Sequence, residues 1–151
     1  MRVFAEKYAE VTYHPILKAI VVKWKDFATP EEYKKTVEFA YDEAVAHNCS
    51  NWISDMTQGK AVSIASTTWL KMEFIPRVAS EGLIRKLAFL IDYNPFRKSF
   101  IDTIKESILM SGIPFRSFKD KSEMENWIKE QDYLRYDEES KNFQNTFSQF
   151  Y

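Results

Sequence analysis

Glycine, cysteine and histidine are scarce in this chain of 151 residues, and each shortage excludes a class of site. The three glycines lie far apart, at positions 59, 82 and 112, so the chain has neither a Walker phosphate loop nor the GxGxxG turn of dinucleotide-binding folds. One cysteine and two histidines are too few for a zinc site with four Cys or His ligands. The sequence therefore predicts no cofactor and no metal.

An excess of one charge sign and a long apolar run are also absent. The chain has 21 basic and 22 acidic residues, so it offers no broad basic field and we expect no nucleic-acid partner. The longest apolar runs, residues 19–22 and 87–91, are far shorter than the ~20 residues of a membrane helix. The N-terminus turns charged before an apolar segment develops, and Cys49 has no partner for an internal disulfide. We expect a cytoplasmic protein with no membrane span.

The residues that are present suit one folded domain. Apolar residues make up 45% of the chain and aromatic residues 16%, which is enough for a hydrophobic core. We predict an α/β domain over residues 1–131, followed by an aromatic extension over 132–151.

The first half of the chain predicts two strands, a helix and a third strand. The first strand covers residues 11–13, extended by 5–10, and it meets a second strand, 16–24, at a turn around Pro15. Thr29-Pro30-Glu31-Glu32 is typical of a capping box that opens a helix. That helix is expected to close at His47 and Asn48 and to lead into a short strand at residues 52–55.

The second half alternates helices with strands. A helix over residues 64–80 is expected to kink at Pro76 and to bury Trp69, Met72, Ile75 and Ala79. The apolar stretch 86–91 is typical of a central parallel strand. A helix carrying Phe100, Ile104 and Ile108, a strand at 113–118 and a helix opened by a Ser122/Glu125 capping box complete the pattern.

The resulting order, β-β-α-β-α-β-α-β-α, predicts an α/β fold with a mixed, mostly parallel sheet and helices packed against it.

Several local stretches carry a resemblance to a known group of folds. They are strand residues 20–24, the strand end Trp52-Ile53-Ser54-Asp55, Trp69, the run Phe74-Ile75-Pro76-Arg77, and residues 82–89. With the element order, they resemble the STAS/SEC14-like group, the fold of bacterial anti-sigma-factor antagonists and of many small bacterial proteins. The resemblance covers roughly residues 8–130. It implies a single STAS-like domain that acts by protein contact, and its SEC14-like side implies binding of apolar ligands.

In the antagonists, an Asp at the end of the third strand is followed at once by a phosphorylatable Ser. Asp55 matches that Asp, but Met56 follows it and Thr57 comes next. Thr57 is therefore our substitute for the phosphorylated residue, with Ser63 and Ser66 as alternatives because they precede or open the next helix. Because Met56 stands where the antagonists have the phosphorylated Ser, the resemblance gives less support to a phosphorylation switch in this chain.

Each candidate residue has a plainer structural interpretation. Asp55 suits a site at the carboxyl end of a strand or a turn that accepts backbone N–H bonds. Thr57, Gln58 and Lys60 form either a partner-binding loop or an ordinary surface loop.

No catalytic group emerges from the remaining candidates. His47 and Cys49 are more typical of a helix end and a buried thiol than of a nucleophile pair, which also needs an orienting group. The tryptophans suit core packing, and the pairs Arg85-Lys86 and Arg97-Lys98 suit solvated strand or helix ends. The sequence therefore predicts a protein that is not an enzyme.

The C-terminal extension carries an aromatic stripe. Phe143, Phe147, Phe150 and Tyr151 are spaced i, i+4, i+7 and i+8, which predicts one face of a helix. We expect this stripe to contribute to the interface of a homodimer.

The favoured function is a non-enzymatic regulatory module of STAS type with an unknown protein partner. The alternative is a carrier or sensor of a small apolar or lipid-like ligand, and an enzyme comes third. A connected apolar cavity between sheet and helices would favour the carrier, and a filled core would favour the interaction module.

Overall fold

A six-stranded mixed sheet forms the centre of the domain. The computed structural model describes residues 2–92 and 94–130, and its strands are β1 (Arg2–Ala5), β2 (Ala9–His14), β3 (Ala19–Trp24), β4 (Asn51–Asp55), β5 (Lys86–Leu90) and β6 (Phe115–Phe118). The strands lie side by side in chain order. β1, β2 and β3 pair antiparallel, and β3 to β6 pair parallel. This confirms the predicted α/β fold with a mixed, mostly parallel sheet.

The first strands differ in extent from the prediction. Residues 5–10 do not extend a single strand, because the chain turns between Ala5 and Ala9 and adds β1 at the edge of the sheet. Likewise, residues 16–18 belong to the turn and not to β3. Lys18 N–H donates to the Pro15 carbonyl at 3.2 Å, Lys18 has a φ of 49°, and the Ile16 side chain is 80% exposed. The predicted strand is too long at this end because Ile16 belongs to a residue type that favours strands.

The helices are α1 (Pro30–Ala46), α2 (Ile64–Trp69), α3 (Ile75–Glu81), α4 (Pro95–Ser111) and α5 (Lys121–Lys129), and a π-helical segment (Leu70–Phe74) joins α2 to α3. The capping box of α1 is present as predicted, with Glu32 N–H donating to Thr29 Oγ1 at 3.2 Å and Thr29 N–H to Glu32 Oε1 at 2.9 Å. The box predicted at Ser122 and Glu125 is wrong. Asp120 caps α5 instead, because its carboxylate accepts from two backbone N–H groups of the first turn.

The helical run from α2 to α3 contains a widened turn just before Pro76. Ile75 N–H donates to the carbonyl of Leu70, five residues back, and Pro76 has no N–H to continue the ladder. The Lys71 carbonyl instead accepts a hydrogen bond from Ser107 Oγ of α4 at 3.2 Å. Met72, predicted to be buried, is 71% exposed, because the buried face of this run is formed by Leu70, Phe74, Ile75 and Val78.

The connections between the parallel strands all place their helices on one face of the sheet. The strands follow one another in a single direction, so right-handed crossovers repeat on the same side. One buried cluster accordingly joins the sheet to α1, the π-helical segment, α3 and α4. After β6 no further crossover is needed, and α5 packs on the other face in a second cluster with Met124 and Ile128.

The tryptophans lie in or against these clusters. Trp24 and Trp52 are buried, and Trp24 stacks on Tyr33 of α1 with ring centroids 4.4 Å apart. Trp69 and Trp127 are half-buried, one against each cluster.

Lys86, the first residue of β5, is fully buried. Its ammonium donates to the carbonyls of Trp127 at 2.9 Å, Ile128 at 3.3 Å and Glu130 at 3.1 Å. These carbonyls belong to the last turn of α5, where the helix dipole favours a cation. The prediction that Arg85-Lys86 is a solvated pair is therefore wrong for Lys86, which fastens the end of α5 to the sheet.

Candidate partner-binding site

The loop after β4 emerges at the edge of the sheet where the parallel strands end. In register, Lys23, Asp55 and Leu90 lie side by side at the ends of β3, β4 and β5. In open α/β sheets, this edge is the usual place for a binding site. The predicted loop, residues 57–60, lies there.

Asp55 holds the first turn of this loop. Its Oδ1 accepts from Thr57 N–H at 3.1 Å and from Thr57 Oγ1 at 2.7 Å. This is the turn role that the sequence offered as the alternative to a site residue. The same contact fixes the hydroxyl of Thr57, which is half-buried, so the two residues form one unit.

Arg97 of α4 holds the loop from the other side, and the sequence prediction of a solvated cation is wrong. Its Nε donates to the Met56 carbonyl at 2.8 Å and an Nη donates to the Thr57 carbonyl at 3.3 Å. Its Nε also lies 3.7 Å from Asp92 Oδ1, and the Arg97 side chain is only 11% exposed. No local signal in the sequence reveals this contact, because the loop and Arg97 are about 40 residues apart.

The far end of the loop packs closely against β3. A side-chain Cβ at Gly59 would lie 3.0 Å from the Cβ of Trp24, so only glycine fits there without a shift. Met56 is buried, and its N–H extends the strand ladder to the Leu90 carbonyl at 2.9 Å. With its backbone fixed in this way, the loop presents Gln58 and Lys60, which are exposed.

The two alternative phosphorylation candidates lie at the start of α2. Ser63 is the cap of this helix, and its Oγ accepts from Ser66 N–H at 3.1 Å. Ser63 Oγ also lies 2.9 Å from Ser66 Oγ, and Ser66 is only 2% exposed. The structure therefore places Ser66 inside the helix start, where a modifying enzyme reaches it only if the turn opens.

His47 and Cys49 occupy structural positions. The His47 ring stacks on Tyr13 at 4.2 Å and its Nε2 lies 3.3 Å from Glu43 Oε2. Cys49 is fully buried, and burial raises the pKa of its thiol to about 11. A reactive cysteine requires the opposite shift, because the thiolate is the nucleophile.

An apolar cavity of about 70 Å³ lies between the sheet and the helices of its larger cluster. Its walls include Val37, Trp52, Phe74, Phe89 and Ile104. An engineered cavity of about 150 Å³ with a comparable apolar lining binds benzene, and this cavity has about half that volume. The space therefore accommodates at most a very small apolar molecule in this conformation.

The part of the chain that the structure describes has neither a metal-binding cluster nor a membrane-spanning helix. Within residues 2–92 and 94–130, no group of three or more His, Cys, Asp or Glu side chains is placed to hold a metal ion. In the same residues, no helix has the length and apolar character needed to cross a membrane. The predicted interface residues Phe143, Phe147, Phe150 and Tyr151 lie outside the described residues.

Comparison with known proteins identifies the class of fold. A crystal structure of an uncharacterised protein of the DUF3478 family from Shewanella loihica PV-4, described with a SpoIIAA-like fold, matches with a TM-score of 0.54. The sequences are 15% identical, and the match covers 73% of this chain and 83% of that chain. No family model and no curated protein matches the sequence. The chain has a SpoIIAA-like, that is STAS-like, fold, as the resemblance predicted.

Proposed function

We propose that the chain is a non-enzymatic regulatory module of STAS type that binds a partner protein through the loop at residues 57–60. The observation that carries this proposal is the way the loop is held. Asp55 fixes its first turn, Arg97 binds two of its carbonyls, and Gly59 packs on Trp24. A plain surface loop does not need a nearly buried arginine.

Preorganisation is the physical reason why these contacts favour binding. A loop that is already ordered loses little conformational entropy when a partner binds, so more of the contact energy becomes affinity. Gln58 and Lys60, exposed at the tip, supply an amide and a positive charge. We infer a partner surface with hydrogen-bonding groups and at least one carboxylate opposite Lys60.

Regulation by phosphorylation of Thr57 is part of this proposal. A phosphate on Thr57 Oγ1 would break its hydrogen bond to Asp55 and repel that carboxylate. It would also lie close to Arg97, which binds the Thr57 carbonyl. The loop would then rearrange, and the affinity for the partner would change.

A carrier of a small apolar or lipid-like ligand is the second candidate, and the apolar cavity is the observation that favours it. Ligand pockets usually measure about 300–1,000 Å³, whereas this cavity has about 70 Å³. A lipid would fit only after the helices moved apart, so the interaction module remains the favoured function.

A homodimer completes the proposal. Four aromatic side chains on one helical stripe form a surface that is rarely left in water. A two-fold dimer offers each stripe the same receiving surface. We therefore propose that residues near 140–151 contribute to a dimer interface.

The partner loop is tested by comparing matched charge changes. Lys60→Glu alters the loop, and Lys35→Glu makes the same change at an exposed position of α1. We expect the wild type to crosslink to a partner protein in cell extract. Lys35→Glu should still crosslink to this partner, and Lys60→Glu should not. The purified partner should show the same preference. Equal capture by both variants, or no capture by the wild type, contradicts the proposal.

The phosphorylation switch has its own test. Purified partner should bind Thr57→Ala and Thr57→Glu with different affinities, because only glutamate adds a negative charge beside Asp55. Mass spectrometry of protein isolated from cells should find phosphate on Thr57. Equal affinities, together with no phosphate on Thr57, Ser63 or Ser66, would show that no switch operates there.

A further inference from the structure

A groove runs between α4 and the helical run from the π-helical segment to α3. It has a volume of about 750 Å³ and is bordered by Met72 and Pro76 on one side and Met110 on the other. The two methionine side chains are 71% and 82% exposed. The hydrogen bond from Ser107 Oγ to the Lys71 carbonyl crosses its floor and holds the two walls together.

The groove continues toward the start of α4. A smaller depression of about 240 Å³ shares Lys71 and Thr103 with it and ends at Ile64 and Phe96. These two side chains are 87% and 67% exposed. We call the groove and this depression together the α3–α4 groove. The distance along α4 from Phe96 to Met110 is about 21 Å at the rise of an α-helix. The α3–α4 groove is therefore long enough for a short helix.

The lining of the α3–α4 groove is poor in charge. Lys71 and Glu106 are its charged residues, and most of the other polar groups are the hydroxyls of serines and threonines. A segment with many charged side chains would lose their hydration there without gaining partners. An apolar stripe on an otherwise neutral helix fits this lining better.

The C-terminal extension has this composition. Residues 142–151 contain no charged side chain, and the spacing of Phe143, Phe147, Phe150 and Tyr151 would put them on one face if the segment formed a helix. A helix over residues 143–151 would be about 13 Å long, which is shorter than the groove. Aromatic rings also make favourable contacts with methionine sulfur, and methionines border the groove.

We propose that the α3–α4 groove receives the aromatic stripe, Phe143, Phe147, Phe150 and Tyr151, of a second copy of this chain. This inference rests on the homodimer of the proposed function and identifies its receiving surface. Each aromatic side chain buries about 150–250 Å², so two exchanged stripes bury at least about 1,200 Å². Stable interfaces bury about 1,200–2,000 Å² in total, so the exchange alone reaches the size that a dimer needs.

The topology favours a second copy over the same chain. α5 packs on the face of the sheet opposite to α3 and α4, and the extension follows α5. To reach its own groove, the chain would have to pass around the edge of the sheet. A two-fold partner can bring its groove to the side where the extension leaves, and each chain offers one stripe and one groove, which is the reciprocity of a two-fold interface.

The groove is tested by sedimentation of two matched variants of the full chain. Met110→Glu places a charge in the groove, and Leu109→Glu makes the same change on the adjacent residue, which is 60% exposed and does not line the groove. We expect the wild type and Leu109→Glu to be dimers. Met110→Glu and a chain lacking residues 140–151 should dissociate at least tenfold more readily, and the far-UV circular dichroism of Met110→Glu should stay that of the wild type.

The outcomes separate this inference from the proposals on which it rests. If the deletion gives monomers while Met110→Glu stays dimeric, the extension docks elsewhere and only the groove assignment fails. If the full chain is a monomer, the homodimer and the groove both fail. Capture of a partner by the 57–60 loop is measured separately and is affected by neither result.

Disulfide trapping distinguishes exchange from docking within one chain. Cys49, the single native cysteine, is buried, so introduced thiols react without interference. Chains with Met110→Cys mixed with chains with Phe147→Cys should form a disulfide-linked heterodimer upon oxidation. A chain that carries both changes and yields only internally linked monomers would overturn the proposal in favour of docking in the same chain.

Discussion

Arg97 shows how much of the candidate site depends on a single side chain. Its guanidinium binds two carbonyls of the loop while it is nearly buried. A hydrogen bond to a charged group contributes about 1.5–3 kcal/mol to the stability of the fold. The loop therefore depends on a contact from a distant helix.

We expect Arg97→Ala to lower the free energy of unfolding by about 2 kcal/mol and to speed amide hydrogen exchange at Thr57 and Gly59. Lys98→Ala, at the next and exposed position of α4, should change the stability by less than about 0.5 kcal/mol. Urea unfolding and hydrogen exchange measure the two effects. Slow exchange in the loop of Arg97→Ala would show that the arginine does not position it.

Cys49 predicts a dependence of stability on pH. The unfolded chain releases the thiol proton near pH 9.0, but the folded chain holds it to about pH 11. The folded state thus binds more protons in this window, and the free energy of unfolding falls as the pH rises. By pH 10 the expected loss from this thiol is about 1 kcal/mol.

The test compares the wild type with Cys49→Ala by urea unfolding at about pH 8 and about pH 10 in the presence of a reductant. Both proteins contain buried Tyr33, whose pKa burial also raises, so the difference between them isolates the thiol. The variant should lose about 1 kcal/mol less over this interval. Equal losses would mean that the thiol ionises alike in both states.

The sequence predicts best the side-chain contacts between residues that are close together in the chain. Thr29 and Glu32 are three residues apart, and their capping box is present as predicted. Arg97 and Lys86 were both assigned to the solvated surface, because their partners lie about 40 residues away in the chain. The resemblance points to Asp55 and Thr57, and the polar loop points to Gln58 and Lys60, whereas no sequence pattern points to Arg97.

Two kinds of contact attach α5 to the sheet: the hydrogen bonds of Lys86 and the apolar contacts of Met124 and Ile128. We expect Lys86→Met, which keeps much of the buried stem, to cost about 2–3 kcal/mol because the last carbonyls of α5 lose a charged donor. Lys129→Met removes the same charge from an exposed position on that helix. It should stay within about 0.5 kcal/mol of the wild type.

Thermal unfolding measures both variants, and hydrogen exchange in α5 shows whether the helix frays. If Lys86→Met is as stable as Lys129→Met, the buried ammonium contributes little and the apolar contacts of Met124 and Ile128 hold the helix.

The helical run from α2 to α3 shows what an element pattern can and cannot predict. Pro76 correctly indicated an irregularity, since a missing N–H always leaves a carbonyl without its usual donor. The sequence did not show that the irregularity would be a widened turn, or that Ser107 of α4 would donate to the Lys71 carbonyl. Met72 is exposed because Leu70, Phe74 and Val78 form the buried face of this run, and the sequence pattern did not single out that face.

At the scale of the whole molecule, the small cavity predicts what purified protein carries. A space of about 70 Å³ does not hold a lipid, so native mass spectrometry should give the mass of the polypeptide, as a dimer, without a bound lipid. Holding an apolar ligand of about 300 Å³ or more would require a different arrangement of the helices. A tightly bound lipid in freshly purified protein would favour the carrier function.

The strands lie in the sheet in the order in which they occur in the chain, and this has a consequence for folding during synthesis. Each new strand can join the exposed edge left by the previous one, and no earlier pair has to open to admit it. Synthesis delivers the N-terminal strands first, at about 5–20 residues per second. Until residues 115–118 emerge, the apolar strand β5 is therefore the open edge, and an unpaired apolar edge is a template for aggregation. A chain stalled between β5 and β6 is the form most exposed to misassembly, and β6 with α5 closes that edge.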